Sequence, residues 1–434
     1  MTLFTSLLLF GLLAGEPAQV AQTPDAPVAE TDLAAFRRLR AEGMAAAAGD
    51  DLTTAAARLA EADGRNPNHP GLILLRARVA AASDQPDEAL AQARRLARAG
   101  VAFDPAADRT LSTLSDHPAF ASLLEAFAAN RAPIGAERLS IVAAVSGPVL
   151  VESVARDAAR GRWLVSLVRG RTVAVLNETG GLSPFLDAAP DLGGVLGLAA
   201  DPRAGVLWAA TAPVPPAVHG LPDAAAAPAP ALLKIDLASG RLVARYPAPG
   251  ASPGDVVVAP DGTVYLADSE GGAILALAPG ADALAPLLAG GVLGSPQGMV
   301  VTPDGRALIV ADYSSGLWRI ERDTGAATRL PAPPDAALIG IDGLATDGTR
   351  LIALQNGMTP QRVLGLALAG GWSRIERVET LAANLPEIEE PTTGLVENGE
   401  LVFVSRSQWS DFDAQGAART ETPAPGLIAR LRLD

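Results

Sequence analysis

The sequence contains no cysteine, which excludes disulfides, thiolate nucleophiles and cysteine-ligated zinc. Histidine is nearly as scarce, since His69, His117 and His219 are the only three in 434 residues. A histidine metal cage or a Ser-His-Asp triad in the second half of the chain would have to use His219. That residue lies in a proline- and alanine-rich stretch, Ala212–Ala231, which predicts a rim or lid loop rather than a catalytic element.

Basic residues and long apolar runs are also few. The net charge of −14 argues against nucleic acid or an anionic membrane as a partner, because phosphate binding requires a basic face. The one apolar run near the start, Leu7–Ala14, is far too short to span a bilayer as a helix. It is typical of a secretory signal, so we expect a signal peptide at 1–22, a disordered leader at 23–32 and export, with a periplasmic mature protein.

From residue 33 to 131 the pattern is helical, with alanine and leucine at spacings of three and four. Helix breaks at Ala48-Gly49-Asp50 and Ala82-Ser83-Asp84 are 34 residues apart. That period resembles tetratricopeptide repeats, helix–turn–helix units that stack. The prediction is two helix pairs and a third, degenerate pair. Such an array would bind a peptide or a partner protein. The alternatives are a helical cap on the following domain and a short stalk.

After Leu139 the helical period is replaced by short apolar strands between turns. Six similar units follow one another at spacings of 45, 58, 43, 45 and 51 residues, with first strands at Glu152, Gly197, Asp255, Gly298, Gly343 and Gly394. Four-stranded blades have about this length, so residues 139–434 are predicted to form an all-β six-bladed β-propeller, preceded by a small all-α region. The last unit lacks an outer strand, which Leu139–Val145 would supply to close the ring.

In a meandering blade, the start of the inner strand and the loop between the second and third strands lie at the same face. Polar side chains are therefore predicted to converge at the mouth of the central channel: Glu152, Asp255, Gln297, Asp342, Tyr313, Asn356, Arg406 and Trp409. Carboxylates in such a place suit a hard divalent cation. The alternative is that they cap strand ends, as turn aspartates do, and that the aromatic rings only pack between blades.

Three short segments carry a family resemblance: Glu152–Asp157 (ESVARD), Ser295–Gly298 (SPQG) and Ile341–Gly343 (IDG). They resemble the gluconolactonase/regucalcin (senescence marker protein) family, over about residues 139–434. The resemblance implies a six-bladed propeller with one divalent metal ion at the channel mouth, and hydrolysis of sugar lactones.

The resemblance also implies roles for single residues. Glu152 and Asp342 correspond to metal ligands, and Asp342 also to the base that activates water. Gln297 stands where the family has a ligating asparagine, and Gly254-Asp255 where it has an Asn-Asp pair. The family mechanism has a Ca²⁺-, Zn²⁺- or Mn²⁺-class ion polarise the carbonyl while a metal-bound water attacks it.

Two functions follow as expectations. The first is an exported, metal-dependent hydrolase of lactones or related esters, with Asp255, Asn356 and Arg406 binding polar groups of the substrate and Tyr313 and Trp409 offering ring faces. The second is a non-catalytic propeller that binds a ligand or a protein, with the helical repeats recruiting the partner.

Overall fold

The structure, a computed structural model, describes residues 30–187, 191–220, 228–420 and 422–434. The predicted signal peptide, 1–22, and most of the predicted leader, 23–29, lie outside the described residues. The first helix begins at Asp32, the last residue of that predicted leader. None of the described helices is long and apolar enough to cross a membrane.

Five α-helices form the helical region, defined here as residues 32–130: α1 (Asp32–Ala48), α2 (Leu52–Arg65), α3 (Pro70–Ala82), α4 (Pro86–Arg98) and α5 (Phe120–Ala129). A 3₁₀ turn, Leu111–Leu114, replaces the first helix of the predicted third pair. Consecutive helices pack against each other, and their apolar faces form two clusters of buried alanine, leucine and phenylalanine. The two predicted helix pairs are therefore present, and the degenerate third pair is reduced to this 3₁₀ turn and α5.

Local chemistry sets the helix ends. The side chains of Thr31 and Asp51 cap α1 and α2 by accepting hydrogen bonds from the backbone N–H groups of Ala34 and Thr54. Asp50 and Asp84 both adopt left-handed backbone, with φ of 65° and 57°. They are the last residues of the two predicted breaks, so the 34-residue period seen in the sequence is also a structural period. Its assignment to tetratricopeptide repeats stays a prediction.

Twenty-four strands follow the helices within the described residues. The first, β1 (Leu139–Val145), belongs to the last blade. Blades 1 and 2 contain β2 (Val151–Asp157), β3 (Arg162–Leu167), β4 (Thr172–Leu176), β5 (Leu182–Pro184), β6 (Gly194–Asp201), β7 (Val206–Ala212), β8 (Ala231–Asp236) and β9 (Leu242–Pro247). Blades 3 and 4 contain β10 (Pro253–Val258), β11 (Val264–Asp268), β12 (Ile274–Leu277), β13 (Ala285–Leu288), β14 (Pro296–Val301), β15 (Ala307–Asp312), β16 (Gly316–Glu321) and β17 (Ala327–Arg329). Blades 5 and 6 contain β18 (Ile341–Thr346), β19 (Arg350–Gln355), β20 (Arg362–Leu368), β21 (Ile375–Ala383), β22 (Gly394–Glu397), β23 (Glu400–Arg406) and β24 (Gly426–Arg432).

These strands form six four-stranded antiparallel sheets, which confirms the predicted six-bladed propeller. Blade 6 has the order β1-β24-β23-β22, and Leu139 pairs with Leu431. The first strand of the domain thus supplies the outer strand of the last blade, as predicted. Hydrogen bonds between the two ends of the domain close the ring and protect both edges.

The core lies between the blades. Each adjacent pair of blades shares one cluster of buried apolar side chains, including the pair formed by blades 6 and 1. Six such clusters form a continuous hydrophobic ring around the channel. Packing between the sheets, together with the strand exchange, therefore holds the propeller closed.

The helical region packs on blades 4 and 5. Asn66, after α2, donates to the carbonyl of Ser314 at 3.0 Å and accepts from Arg329 at 2.6 Å. Arg98, at the end of α4, pairs with Asp335 at 3.0 Å. Ser314 and Asp335 lie in loops on the face that carries the starts of the inner strands. Of the alternatives raised by the sequence, the stalk does not agree with these contacts, whereas a helical cap does.

Candidate functional site

Buried polar side chains fix the chain where it enters the inner strands. Asp268 and Asp312, at the ends of β11 and β15, accept hydrogen bonds from the backbone N–H groups of Ser252 (2.8 Å) and Ser295 (2.6 Å). Gln355, at the end of β19, donates to the Ile339 carbonyl at 2.7 Å. These residues are structural clamps. The side chains available for chemistry are those that follow them, at the channel mouth.

Asp342, the predicted base, is held by the residue after one of these clamps. Asn356 donates from Nδ2 to Asp342 Oδ2 at 2.6 Å and to the Pro391 carbonyl at 3.1 Å. Burial raises the pKa of Asp342 to about 6, while the Asn356 hydrogen bond lowers it and the charge of Glu390 raises it. A carboxyl with this pKa is ionised at neutral pH and still basic enough to accept a proton.

Tyr313 completes this arrangement from blade 4. Its hydroxyl donates to Asn356 Oδ1 at 3.0 Å, so both ends of the Asn356 amide are engaged. Burial, followed by the charges of Asp342 and Glu390, raises the pKa of Tyr313, which keeps the hydroxyl protonated as a donor. The residue was predicted to offer a ring face to a ligand; its hydroxyl also orients Asn356 and, through it, Asp342.

Glu152 lies at the same mouth, in blade 1. Trp409 Nε1 donates to Glu152 Oε2 at 2.6 Å, and Thr392 donates to the Glu152 carbonyl at 2.6 Å. Burial and then the charge of Asp342 raise the pKa of Glu152 well above its ordinary value, against the effect of the Trp409 hydrogen bond. Trp409 therefore positions a carboxyl, in addition to the ring face predicted for it.

Asp255 is the third predicted carboxyl. Burial and the charge of Asp342 raise its pKa to about 7, against a hydrogen bond from the Val256 N–H. Its side chain also packs over Gly197 of blade 2, where a Cβ atom would lie 2.7 Å from Asp255 Oδ1. Only glycine leaves space for this carboxyl at the point where blades 2 and 3 meet.

Gln297 is surrounded by serine hydroxyls. Its Nε2 donates to Ser295 Oγ at 3.0 Å, and Ser269 Oγ donates to its Oε1 at 3.4 Å. The Ser269 hydroxyl occupies the space that a Cβ atom at Gly254 would fill. Ser269, which sequence reasoning did not single out, thus takes the place of a side chain at position 254.

Arg406 binds other protein groups. Its Nε donates to Glu389 Oε2 at 3.0 Å, and its Nη2 donates to the Pro386 carbonyl at 2.9 Å. The pair with Glu389 neutralises the guanidinium on the blade 6 side of the mouth. Its role in binding a polar group of a substrate stays a prediction. In that role the guanidinium would have to bind the substrate and Glu389 at the same time.

Glu390 is a fourth carboxyl at the mouth, and sequence reasoning assigned it no role in the site. It has left-handed backbone (φ 53°), and Ser410 N–H donates to its Oε2 at 2.7 Å. Its charge raises the pKa values of Glu152, Asp342 and Tyr313. Its position in the sequence indicates its place at the mouth, because it lies just ahead of β22, the inner strand of blade 6. The other carboxyls lie at the starts of the inner strands of their own blades.

The rim beside Glu152 is apolar. Val218, from the 3₁₀ turn Pro216–His219 in the blade 2 insertion, packs in a cluster with Leu150, Val168, Phe412 and, more exposed, Trp409. His219 Nδ1 lies 3.1 Å from the Arg169 carbonyl oxygen, and burial lowers the pKa of its ring. The part of the insertion that the structure describes before residue 221 lies at the rim, and His219 is held against the backbone there.

The donor atoms suit a hard divalent cation, since Glu152 and Asp342 present carboxylate oxygens and Gln297 an amide oxygen. The charges that most strongly raise the pKa values of Glu152 and Asp342 are those of other carboxyls, which a bound cation would offset. Among the residues that the structure describes, however, no three His, Cys, Asp or Glu side chains are grouped closely enough to hold an ion. A shell would therefore need the Gln297 oxygen besides the two carboxylates.

No protein-family model matches the chain, and no curated protein sequence matches it. Several solved structures are similar. A gluconolactonase from Xanthomonas campestris is 18% identical, with a TM-score of 0.45, over 70% of this chain and 92% of that chain. The calcium-binding protein regucalcin from Agrobacterium tumefaciens is 17% identical, with a TM-score of 0.45, over 67% and 95%. A PQQ-bound aldose sugar dehydrogenase from Streptomyces coelicolor is 14% identical, with a TM-score of 0.44, over 68% and 98%. Similarities this distant assign no activity to this chain, whose fold is established by its own six sheets.

Proposed function

We propose that this protein hydrolyses lactones or related esters at the mouth of the propeller channel. The observation that carries the proposal is the Asp342 carboxyl, which Asn356 orients and whose pKa burial raises to about 6. A general base works best with a pKa near the working pH, because it must be ionised and yet still accept a proton.

In this mechanism Asp342 accepts a proton from a water molecule as that water attacks the carbonyl carbon. The new bond joins the water oxygen to that carbon, and the bond to the ring oxygen breaks. Asp255, whose pKa is raised to about 7, retains a proton in a large share of molecules at neutral pH and donates it to the departing ring oxygen. Asn356, which Tyr313 orients, holds the Asp342 carboxyl in position throughout.

A divalent cation of the Ca²⁺, Zn²⁺ or Mn²⁺ class belongs to this proposal. Glu152, Gln297 and Asp342 would hold it, and when bound it would supply polarisation of the lactone carbonyl. The proposal also includes export to the periplasm, with segment 1–22 as the signal peptide. Cell fractionation of the full chain and of a chain that starts after residue 22 tests the export.

The experiment is hydrolysis of a panel of sugar γ- and δ-lactones, followed with a pH indicator, in EDTA and after addition of each cation. Asp342→Asn should lower kcat/KM on the order of 100-fold or more. Asp304→Asn is the matched control, because Asp304 is a turn aspartate that bonds Thr302 and the Arg306 N–H. Equal activity of wild type and Asp342→Asn would refute the role of Asp342. If calorimetry shows that wild type and Asp342→Asn bind the cation equally well, Asp342 is not a metal ligand.

A non-catalytic function is the second candidate, and the Gln297 and Arg406 contacts favour it. Both side chains are engaged by protein groups rather than free for a substrate. In that case the channel mouth binds a small molecule without turnover, and the helical repeats recruit a protein partner. Ligand binding by calorimetry, without hydrolysis of any lactone by wild type, would support this function over the first.

A further inference from the structure

Arg362, the first residue of β20, is a buried cation at the junction of the helical region and the propeller. Its side chain is only 4% exposed. Among the described residues it has no carboxylate partner within ion-pair distance, and it is bonded instead to carbonyl oxygens and to the amide of Gln355. A buried charge is costly unless fixed dipoles solvate it, so these carbonyl groups must stay in place.

Two of those carbonyls belong to the helical region. Nη1 of Arg362 donates to the Ala99 carbonyl at 3.2 Å and to the Gly100 carbonyl at 3.3 Å, directly after α4. The C-terminal end of a helix carries partial negative charge, which suits a guanidinium. Gly100 has φ of 77°, and a Cβ atom there would collide with Arg362 Nη1. The chain after α4 is therefore shaped around this side chain.

The other side of Arg362 leads to the candidate base. Its Nε donates to Gln355 Oε1 at 2.6 Å, and Gln355 Nε2 donates to the carbonyls of Ala337 (2.9 Å) and Ile339 (2.7 Å). These carbonyls belong to residues 337–340, the segment that runs directly into Asp342. Gln355 is also the neighbour of Asn356, which bonds the Asp342 carboxyl.

Apolar packing supports the same junction. Ala99 packs in one small cluster with Ala337 and Met358, and Val101 lies against it. The Ala102 N–H donates to the Thr359 carbonyl at 2.7 Å. The chain after α4 is thus in contact with both segments that carry the site, 337–340 and 356–359.

We propose that Arg362 is a positioning residue for the reaction, and that through it the helical region is a structural part of the channel-mouth site. The inference rests on the proposed function for its kinetic effect only. Arg362 holds Gln355 between the end of α4 and residues 337–340, and this fixes both the backbone that carries Asp342 and the neighbouring Asn356. Displacements of about 1 Å at a reacting group cost on the order of 100-fold in rate.

The experiment compares Arg362→Met, Arg362→Lys and a matched control in the full chain. The control is Arg322→Met, which removes another little-exposed arginine that bonds a backbone carbonyl, at the far end of blade 4. We expect Arg362→Met to lower kcat about 10- to 100-fold with KM changed less than about 3-fold, because substrate contacts remain. Arg362→Lys should recover part of the loss, and Arg322→Met should match wild type.

The second measurement is amide hydrogen exchange, which does not depend on activity. The amides of residues 337–345 and 352–359 should exchange about tenfold faster in Arg362→Met than in wild type. Their exchange rates should be unchanged in Arg322→Met. Gly100→Ala disturbs the same junction from the helical side and should accelerate exchange in the same two segments. If Arg362→Met does not fold, the exchange rates of Gly100→Ala and Arg362→Lys test the inference instead.

The outcomes separate this inference from the proposed function. If wild type hydrolyses no lactone, the proposed function fails, but faster exchange at 337–345 in the junction variants still supports the positioning role. Unchanged exchange there in Arg362→Met and Gly100→Ala overturns the inference, whatever the kinetics. The inference is also overturned if Arg362→Met and Arg362→Lys lose activity to the same extent and neither shows faster exchange.

Discussion

Replacement of Asp255 by asparagine should stabilise the protein at high pH and leave it unchanged at low pH. The pKa of this carboxyl is about 7 in the folded protein against an ordinary value of 3.8. Between those values the folded protein keeps a proton that the unfolded chain releases. The free energy of unfolding therefore falls as the pH rises from about 4 to about 7. Asparagine cannot ionise, so the variant lacks this decline.

The size of the effect follows from the same pKa. A difference of roughly three pKa units corresponds to about 4 kcal/mol, at 1.36 kcal/mol for each unit. Asp255 is partly exposed at the channel mouth, so solvent screening reduces the expected gain to about 2 kcal/mol at pH 8. At pH 4 both carboxyl and amide are neutral, and the two proteins should agree within about 0.5 kcal/mol.

The assay is urea unfolding followed by tryptophan fluorescence, in EDTA, at pH 4 and pH 8. Asp261→Asn is the control, because Asp261 lies in a turn of the same blade, where hydrogen bonds from Thr263 and Arg322 outweigh its slight burial and lower its pKa. That variant should gain nothing at pH 8 over pH 4. A gain for Asp255→Asn that is equal at the two pH values would refute the reasoning, since it would show that the Asp255 charge is already compensated.

His69, Gly197 and Leu431 give three further tests. Burial lowers the pKa of His69 to about 4, so wild type should lose up to about 3 kcal/mol of stability as the pH falls from about 6.5 to 4. His69→Asn keeps a cap for α3 and should flatten that part of the plot of unfolding free energy against pH. An unchanged slope in the variant would contradict this. Gly197→Ala should destabilise by about 1–3 kcal/mol in thermal unfolding, because its Cβ would lie 2.7 Å from Asp255 Oδ1. Gly370→Ala is the control and should not show that clash, because Gly370 has open space around it and no left-handed backbone. Leu431→Ala empties a fully buried site between blades 5 and 6 and should cost about 2–5 kcal/mol in urea unfolding, whereas exposed Arg432→Ala should cost less than about 0.5 kcal/mol.

The roles of Tyr313 and Trp409 show where sequence reasoning about the site stopped. Both aromatic residues were correctly expected in loops at the channel mouth, because the order of strands in a blade determines which loops reach that face. Their polar atoms engage Asn356 and Glu152, which the loop pattern alone does not indicate. The rotamer of a loop side chain depends on neighbours from other blades, and these come together only when the ring closes.

The same limit applies to charge. The sequence placed Glu152, Asp255 and Asp342 at strand starts. Their pKa values are raised by burial and by the charges of neighbouring carboxylates, which for Asp342 is that of Glu390. The sequence did not show that Arg406 would pair with Glu389, or that two serines would engage Gln297. Each of these pairings depends on which of several nearby partners a flexible side chain binds most stably in the folded protein.

The sequence by itself determined the number of blades, the start of each inner strand to within three residues, and the strand that closes the ring. It did so because apolar alternation, turn residues and repeat length are local properties of the chain, and six copies reinforce one another. Only the tertiary structure decided that α4 ends against Arg362 and that Arg362, through Gln355, holds the segment before Asp342. That contact joins residues more than 250 positions apart in the sequence, and it depends on a buried charge finding carbonyl dipoles that no local pattern specifies.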